Sequence, residues 1–320
     1  MFQLSVFLLV LCVTSMQSCL ANPKIKALIV DGQNNHSMWP KTTVMMKDYL
    51  ETSGRFDVDV ARTAFTANAD ATLLAAYSID GVHSTPRKTA VTDPDFKPNF
   101  SAYDVVLSNM GHGAAPWPNA TQAAFESWMK SGGGLVVIHA ADNSFPNWPA
   151  WNEMIGLGGW GGRSEKDGPY IYTNEKGDVI RDTSAGRGGH HGVQHEYSVV
   201  IRDSSHPITQ GLPAEWLHTK DELYDRLRGP ALNMRLLATS YSNPETKGSG
   251  RHEPIMFTVR FGKGRVFHTP MGHADYSQEC VGFITVLLRG TEWAATGNVT
   301  VAVPDDFPTA DASRSRRFTR

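Results

Sequence analysis

Residues 132–142 read GGGLVVIHAAD. Three glycines are followed by an unbroken apolar run, Leu135-Val136-Val137-Ile138, and then by a histidine and an abrupt change of character. A short continuous apolar run reads as a strand buried on both faces, as in a parallel sheet. The glycines stop the segment before it, residues 121–130, in which Phe125, Trp128 and Met129 share one face of a helix. Residues 103–108 (YDVVLS) form the strand before that helix. The same order opens the chain. Residues 26–30 (KALIV) read as a strand, Pro40 starts a helix carrying Met46, Tyr49 and Leu50, Gly54 ends it, and residues 56–60 are the next strand. Repeated strand–helix–strand units predict an α/β fold, with a mostly parallel central sheet and helices on both faces. Ligands in such sheets lie beyond the carboxyl ends of the strands.

Residues 156–192 are rich in Gly and polar residues and read as inserted loops, with a hairpin of residues 170–173 and 179–181 around a turn at 175–177. Further strands are expected at 197–201, 235–238, 255–259 and 265–268, and a last helix over 282–295. The organisation predicted is a signal peptide over 1–21, one α/β domain over 22–303 and an extended tail over 304–320. The leader has no charged side chain, an apolar stretch at 6–13 too short to span a bilayer, and a small residue, Ala21, before Asn22-Pro23. It implies export to a periplasmic or extracellular location. Ser18-Cys19 offers a weaker alternative, anchoring as a lipoprotein. No later stretch is long and apolar enough for a membrane helix.

Of the cysteines, Cys12 and Cys19 lie in the leader, leaving Cys280 without an intramolecular partner; it reads as a buried small hydrophobe. Lys plus Arg is 30 and Asp plus Glu is 32, a net charge of −2. That balance excludes the basic face of a nucleic-acid binder and the composition of an acidic disordered chain.

The chemistry concentrates in the 12 histidines. His36, His112 and His139 each follow a predicted strand, so the fold brings them to one sheet edge. His139 ends a strand at a sharp turn, a setting that resembles the one presenting nucleophiles in α/β hydrolases, but there is no G-x-S-x-G and no Cys there. A histidine in that place serves as base, acid or metal ligand, with Asp142 nearby to orient it; the alternative is a histidine capping strand-end carbonyls. His191 and His195 are four apart, yet Gly188, Gly189 and Gly192 argue against a zinc-binding helix and the Glu of H-E-x-x-H is missing. These two with His273 are the candidate metal ligands, against a polar loop that closes over the site. Glu222, in the run Lys220-Asp221-Glu222, faces solvent as charge runs do unless it folds beside His139. Gln33, Asn34, His112, Trp117, Trp148 and Trp160 are the candidate substrate-binding residues; the tryptophans, with Trp151, are placed in loops, where aromatic faces suit sugar rings as well as packing. Residues 156–162 (GLGGWGG) and 262–265 (GKGR) lack dinucleotide or phosphate-loop spacing.

Taken together, KALIVDGQNNH (26–36), YDVVLSN (103–109), GGGLVVIHAAD (132–142), HPITQGLP (206–213), DELY (221–224), GKGRVFHTPMGH (262–273) and RGTEWAATG (289–297) give a chain that resembles the ThuA-like (trehalose utilisation) family from about residue 24 to 297. The resemblance implies a class I glutamine amidotransferase-like, flavodoxin-like fold. It also marks a departure, because the amidotransferases carry their nucleophilic Cys at the strand-end turn where this chain has His139. It implies a role in disaccharide catabolism beside a sugar dehydrogenase that makes 3-keto sugars. The expected function is a lyase or hydrolase of disaccharides or 3-keto-glycosides, working by histidine acid–base chemistry. His139 and Glu222 would be the central pair, His36 and Asp142 their companions, and a divalent metal ion an aid. The alternatives are a non-catalytic sugar-binding module, and an amide or ester hydrolase by fold analogy.

Overall fold

The computed structural model describes residues 23–319; the expected leader, with Cys12 and Cys19, lies outside the described residues. In chain order the elements begin β1 (Ile25–Gln33), α1 (Trp39–Thr52), β2 (Phe56–Ala67), α2 (Ala71–Ala76), β3 (Thr85–Arg87), β4 (Val105–Ser108), α3 (Asn119–Ser131), β5 (Gly134–Ile138) and α4 (Pro149–Ile155). There follow β6 (Tyr170–Thr173), β7 (Val179–Asp182), β8 (His190–His191), β9 (His195–Ile201), β10 (Glu215–Asp221), β11 (Tyr224–Asp225), β12 (Met234–Tyr241), β13 (His252–Phe261), β14 (Gly264–Thr269), α5 (Asp275–Gln278) and α6 (Val281–Thr296).

The main sheet runs β10-β9-β12-β13-β14-β5-β4-β1-β2-β3, with the β6–β7 hairpin attached to β13. From β14 to β3 the neighbours are parallel. From β10 to β14 they are antiparallel. Four antiparallel steps separate β10 from β14, so β10 points the same way as the parallel strands. That places the carboxyl ends of β1, β4, β5, β10 and β14 on one side. β8 and β11 form a separate small ladder.

The parallel strands are apolar on both faces because each face meets a core. Ala27, Ile29, Val105, Leu107, Val136 and Ile138 pack on the side of α1 and α6. Leu28, Val30, Val106, Leu135 and Val137 pack on the side of α3 and α4. Trp117, Trp148 and Trp151 belong to this second core, not to exposed loops. Trp117 is surrounded by Phe96, Phe100, Phe125, Phe145 and Trp148, and Trp151 sits on α4, a helix that Pro149 opens. Cys280 is buried, as a small core side chain is expected to be. The tail beyond residue 303 runs extended against the body: Phe307 packs on Trp216, and the Val281 N–H donates to the Arg314 carbonyl. No helix among the described residues is long and apolar enough to cross a membrane.

Gly290 lets α6 lie directly on β14, since a Cβ there would collide with the Phe267 ring. Alanine normally favours a helix interior over glycine by about 1 kcal/mol. Overpacking of this contact outweighs that gain, so Gly290→Ala should lower unfolding free energy by about 2 kcal/mol in a urea titration.

Candidate functional site

The site forms where the carboxyl ends of β1, β5, β10 and β14 meet. At the end of β1, the register against β2 shifts between Asp31 and Gln33, a bulge that turns the chain toward Asn34 and His36. Gly32, at φ +123°, permits it; a Cβ there would strike the Thr63 hydroxyl. Asp31 is held by Arg62 through two bonds of 2.7 and 2.8 Å and by Thr43 at 2.8 Å. At the end of β5, His139 takes φ +45° and starts a short 3₁₀ turn. A non-glycine residue in that region carries strain that its surroundings must hold.

His36, His139, His273 and Glu222 come together, each offering an atom within 4.8 Å of the others. Glu222 Oε2 lies 3.9 Å from His36 Nε2, 3.7 Å from His139 Nε2 and 2.9 Å from His273 Nδ1. His36 and His139 are fixed from behind: His36 Nδ1 is 3.2 Å from Asn34 Oδ1, and His139 Nδ1 is 2.7 Å from the Pro270 carbonyl. Both partners accept only, so each Nδ1 carries the hydrogen. Asp221 ties the remaining two together. Its carboxylate accepts the backbone N–H groups of Glu222 at 2.8 Å, Gly272 at 2.7 Å and His273 at 3.0 Å. It also faces His218 Nε2 at 2.9 Å.

Burial pushes the His36 imidazole down to about 2, with His139 and His273 adding to the effect. His139 moves the other way. Burial opposes its charge, but the nearby carboxylates of Glu222 and Asp221 raise it above 6.5. Burial likewise opposes the Glu222 anion, and His139 and His273 overcome it, holding that carboxyl well below its ordinary range. Burial thus favours the neutral form of His36, while the Glu222 carboxylate and His139 each favour the charged form of the other.

One wall is aromatic. Tyr224 lies 4.2 Å from the His139 ring centroid, and half-buried Trp160 lies 4.8 Å from Tyr224. His191, exposed, places Nε2 3.9 Å from Glu222 Oε1 while its Nδ1 lies 2.9 Å from the Gly192 carbonyl. Behind the imidazoles the space is about 10 Å³, too small for a sugar. A cavity of about 260 Å³ lies between His112, Phe145, Trp148 and Gly161. A larger groove of about 700 Å³ follows α1 and β2 but has no histidine in its lining.

The structure thus assembles His36, His139, Glu222 and His273, with His191 at the rim, and moves other expected residues elsewhere. Asp142 does not orient His139; it faces His268 Nε2 at 3.3 Å. His195 is outside the cluster, its Nδ1 2.6 Å from the Val193 carbonyl and its ring against Tyr197. Gln33 has no free groups for a sugar, since its amide is used by Phe65, Val91 and Ala115. Asn34 positions His36 instead. His112 is exposed and lines the 260 Å³ cavity, with buried Trp117 and mostly buried Trp148 giving no open stacking face. Asp221 and Glu222 are buried, against the rule for charge runs, while Lys220 is exposed. Asp221, His218 and Tyr224 are the functional-site residues that sequence reasoning missed.

The sequence profile of the ThuA family, described as trehalose utilisation, matches residues 26–294. The chain is 44% identical to a protein of Parabacteroides merdae described as ThuA-like, with a TM-score of 0.80 over 92% of this chain and 98% of that one. A second protein described as ThuA-like, from Bacteroides uniformis, shares the fold at 19% identity and a TM-score of 0.52, over 87% of this chain and 94% of that one. No match is found among curated proteins.

The pairing of His139 with Glu222 has a pH signature. The stabilisation from the depressed Glu222 is present above the ordinary carboxyl value of 4.5 and is lost as pH falls toward its lower folded value. That from the raised His139 is present below 6.5 and is lost as pH rises through its higher folded value. In Glu222→Gln, the His139 ring should therefore lose its proton at lower pH than in the wild type, read by ¹⁵N NMR of the imidazoles. An unchanged His139 titration would refute the pairing.

Proposed function

The chain belongs to the ThuA, or trehalose utilisation, family, and from that premise we propose that it is an enzyme of carbohydrate catabolism acting on disaccharides or their 3-keto-glycosides. The observation that carries this reading is the convergence of His36, His139 and His273 on the Glu222 carboxylate, beside the open His191 and Trp160. A 3-keto group acidifies the C2 proton. Its removal gives an enolate; the electrons then return to re-form the C3 carbonyl and the C1–O bond breaks, leaving a C1=C2 double bond and an alkoxide that takes up a proton. Such an elimination needs a base and a positive centre for the enolate oxygen.

In this reading His191 is the base. Its Nδ1 hydrogen is directed to the Gly192 carbonyl, which leaves the Nε2 lone pair facing the cleft. The positive centre belongs at the cluster of His36, His139 and His273 around the Glu222 carboxylate. Because Glu222 is held below the ordinary carboxyl range it serves as an anion, and not as the acid for the leaving group. Half-buried Trp160 offers a face for a sugar ring, with buried Tyr224 packed behind it. The ketone would come from a sugar dehydrogenase working beside this protein.

With 3-keto-trehalose in D₂O, the wild-type protein should cleave the glycoside to a product without a C2 hydrogen, and return of the enolate should place deuterium at C2 of the remaining substrate, both followed by NMR. His191→Ala should slow the exchange by about 10²-fold or more, the usual worth of a general base. If the wild type gives neither exchange nor cleavage on 3-keto disaccharides, the enzymatic reading falls; sugar binding that weakens in Trp160→Ala would then favour the binding-module alternative.

A further inference from the structure

We propose that His36 Nε2, His139 Nε2, His273 Nδ1 and a carboxylate oxygen of Glu222 bind one divalent first-row transition-metal ion, with zinc as the reference. This replaces the His191, His195 and His273 grouping suggested by sequence spacing. As a statement about catalysis it rests on the reading above, naming the positive centre of that site. As a statement about binding it stands on the geometry alone.

Three features point to a cation. The first is convergence: the imidazole nitrogens surround a single oxygen, Glu222 Oε2, at 2.9 to 3.9 Å. Zinc–nitrogen and zinc–oxygen bonds of about 2.0–2.2 Å put tetrahedral ligand atoms about 3.3–3.6 Å apart, so small side-chain shifts complete the sphere. The second is the state of the inward atoms. His139 Nε2 and His273 Nδ1 are buried and have no hydrogen-bond partner, although Glu222 is near both. Buried polar atoms normally find partners, and these two aim at one point where a cation would satisfy both. The third is the support behind them. Asn34 Oδ1 and the Pro270 carbonyl fix the outer nitrogens of His36 and His139, the arrangement that orients metal-ligating imidazoles. Asp221 fixes the backbone of Glu222 and His273.

The donor set selects the ion. Imidazoles suit zinc, iron, cobalt, nickel and copper, whereas calcium and magnesium take oxygen ligands. Three imidazoles and Glu222 fill a tetrahedral sphere, so a substrate oxygen would enter as a fifth ligand.

The test uses the full described chain, stripped with a chelator and titrated with Zn²⁺ by calorimetry, with Mg²⁺ as a control. One Zn²⁺ per chain is expected, with Mg²⁺ giving no saturable heat. Glu222→Gln and His139→Ala should each weaken the Zn²⁺ affinity about 100-fold or more, while His195→Ala leaves it unchanged. Co²⁺ in the stripped protein should give the visible bands of a four- or five-coordinate site, and these should vanish in Glu222→Gln. His273→Gln supplies a further ligand variant should His139→Ala fail to fold, as judged by circular dichroism. Absence of saturable Zn²⁺ binding in the wild type overturns the proposal, as does binding that survives in the ligand variants but is lost in His195→Ala. Zinc binding without turnover would leave the metal site standing and remove the proposed function; turnover by the stripped protein would leave the function standing and remove the ion's part in it.

Discussion

The buried carboxylate of Asp221 is the constraint on which the site depends. It gathers backbone N–H groups from Glu222, Gly272 and His273, and so joins the end of β10 to the chain leaving β14 across four intervening strand pairings. An anion inside a protein is costly unless hydrogen-bonded and paired. Here burial opposes the charge, while His218 and the peptide N–H groups reverse the effect and lower the carboxyl pKa. His218 is driven up to about 10, with burial opposed by Cys280 and Asp221. A neutral residue in place of Asp221 would leave buried donors without an acceptor and release Glu222 from His273. The functional carboxylate is thus placed by its neighbour in sequence, not by its own contacts.

The Gly-rich insertion has a related role. Its loop is tethered by Arg163, whose guanidinium donates to the carbonyls of Gly159 at 2.8 Å and Ser144 at 2.9 Å and to Asn152 Oδ1 at 2.8 Å. Ser144 directly follows the turn that begins with His139. One cation therefore couples the strained turn to the loop bearing Trp160, so the imidazole and the aromatic wall hold a common geometry. Glycines at 156–162 allow the close approach: a Cβ at Gly159 would meet Gly189 and Leu227. The loop is better described as a fixed wall than as a lid.

Much of this was legible in the chain, for physical reasons that also explain the failures. Residues 26–30 and 135–138 are apolar on both faces, so their strands, the parallel order and the edge holding His36 and His139 follow from pattern alone. Residues 215–221 (EWLHTKD) were harder. Trp216, His218 and Asp221 are buried, but their polarity hides the alternation of a strand, and the acids read as a solvated run. Only pairing with β9 and the N–H groups of residues 272 and 273 makes burial of Asp221 tolerable, and neither is local. The tryptophans failed for the opposite reason. Glycine and proline around Trp117 and Trp148 signal loops correctly, but loop residues can still fill a core when enough aromatic neighbours converge, while Trp151 sits on the helix α4. Asp142 lay near His139 in sequence, yet the turn sends its side chain to His268.

The strand-end turn of β5 explains why a histidine there differs in kind from a nucleophile. His139 spends Nδ1 on the Pro270 carbonyl and is packed against Tyr224, so its ring is held in one orientation with Nε2 toward Glu222. His191 has the complementary endowment: exposed to the cleft, one nitrogen directed to a local carbonyl and the other open. The strain at φ +45° is consistent with this division, because it is stored where a side chain must be held in one orientation. The two histidines therefore stand in different settings, His139 buried and held at the turn, His191 exposed at the rim.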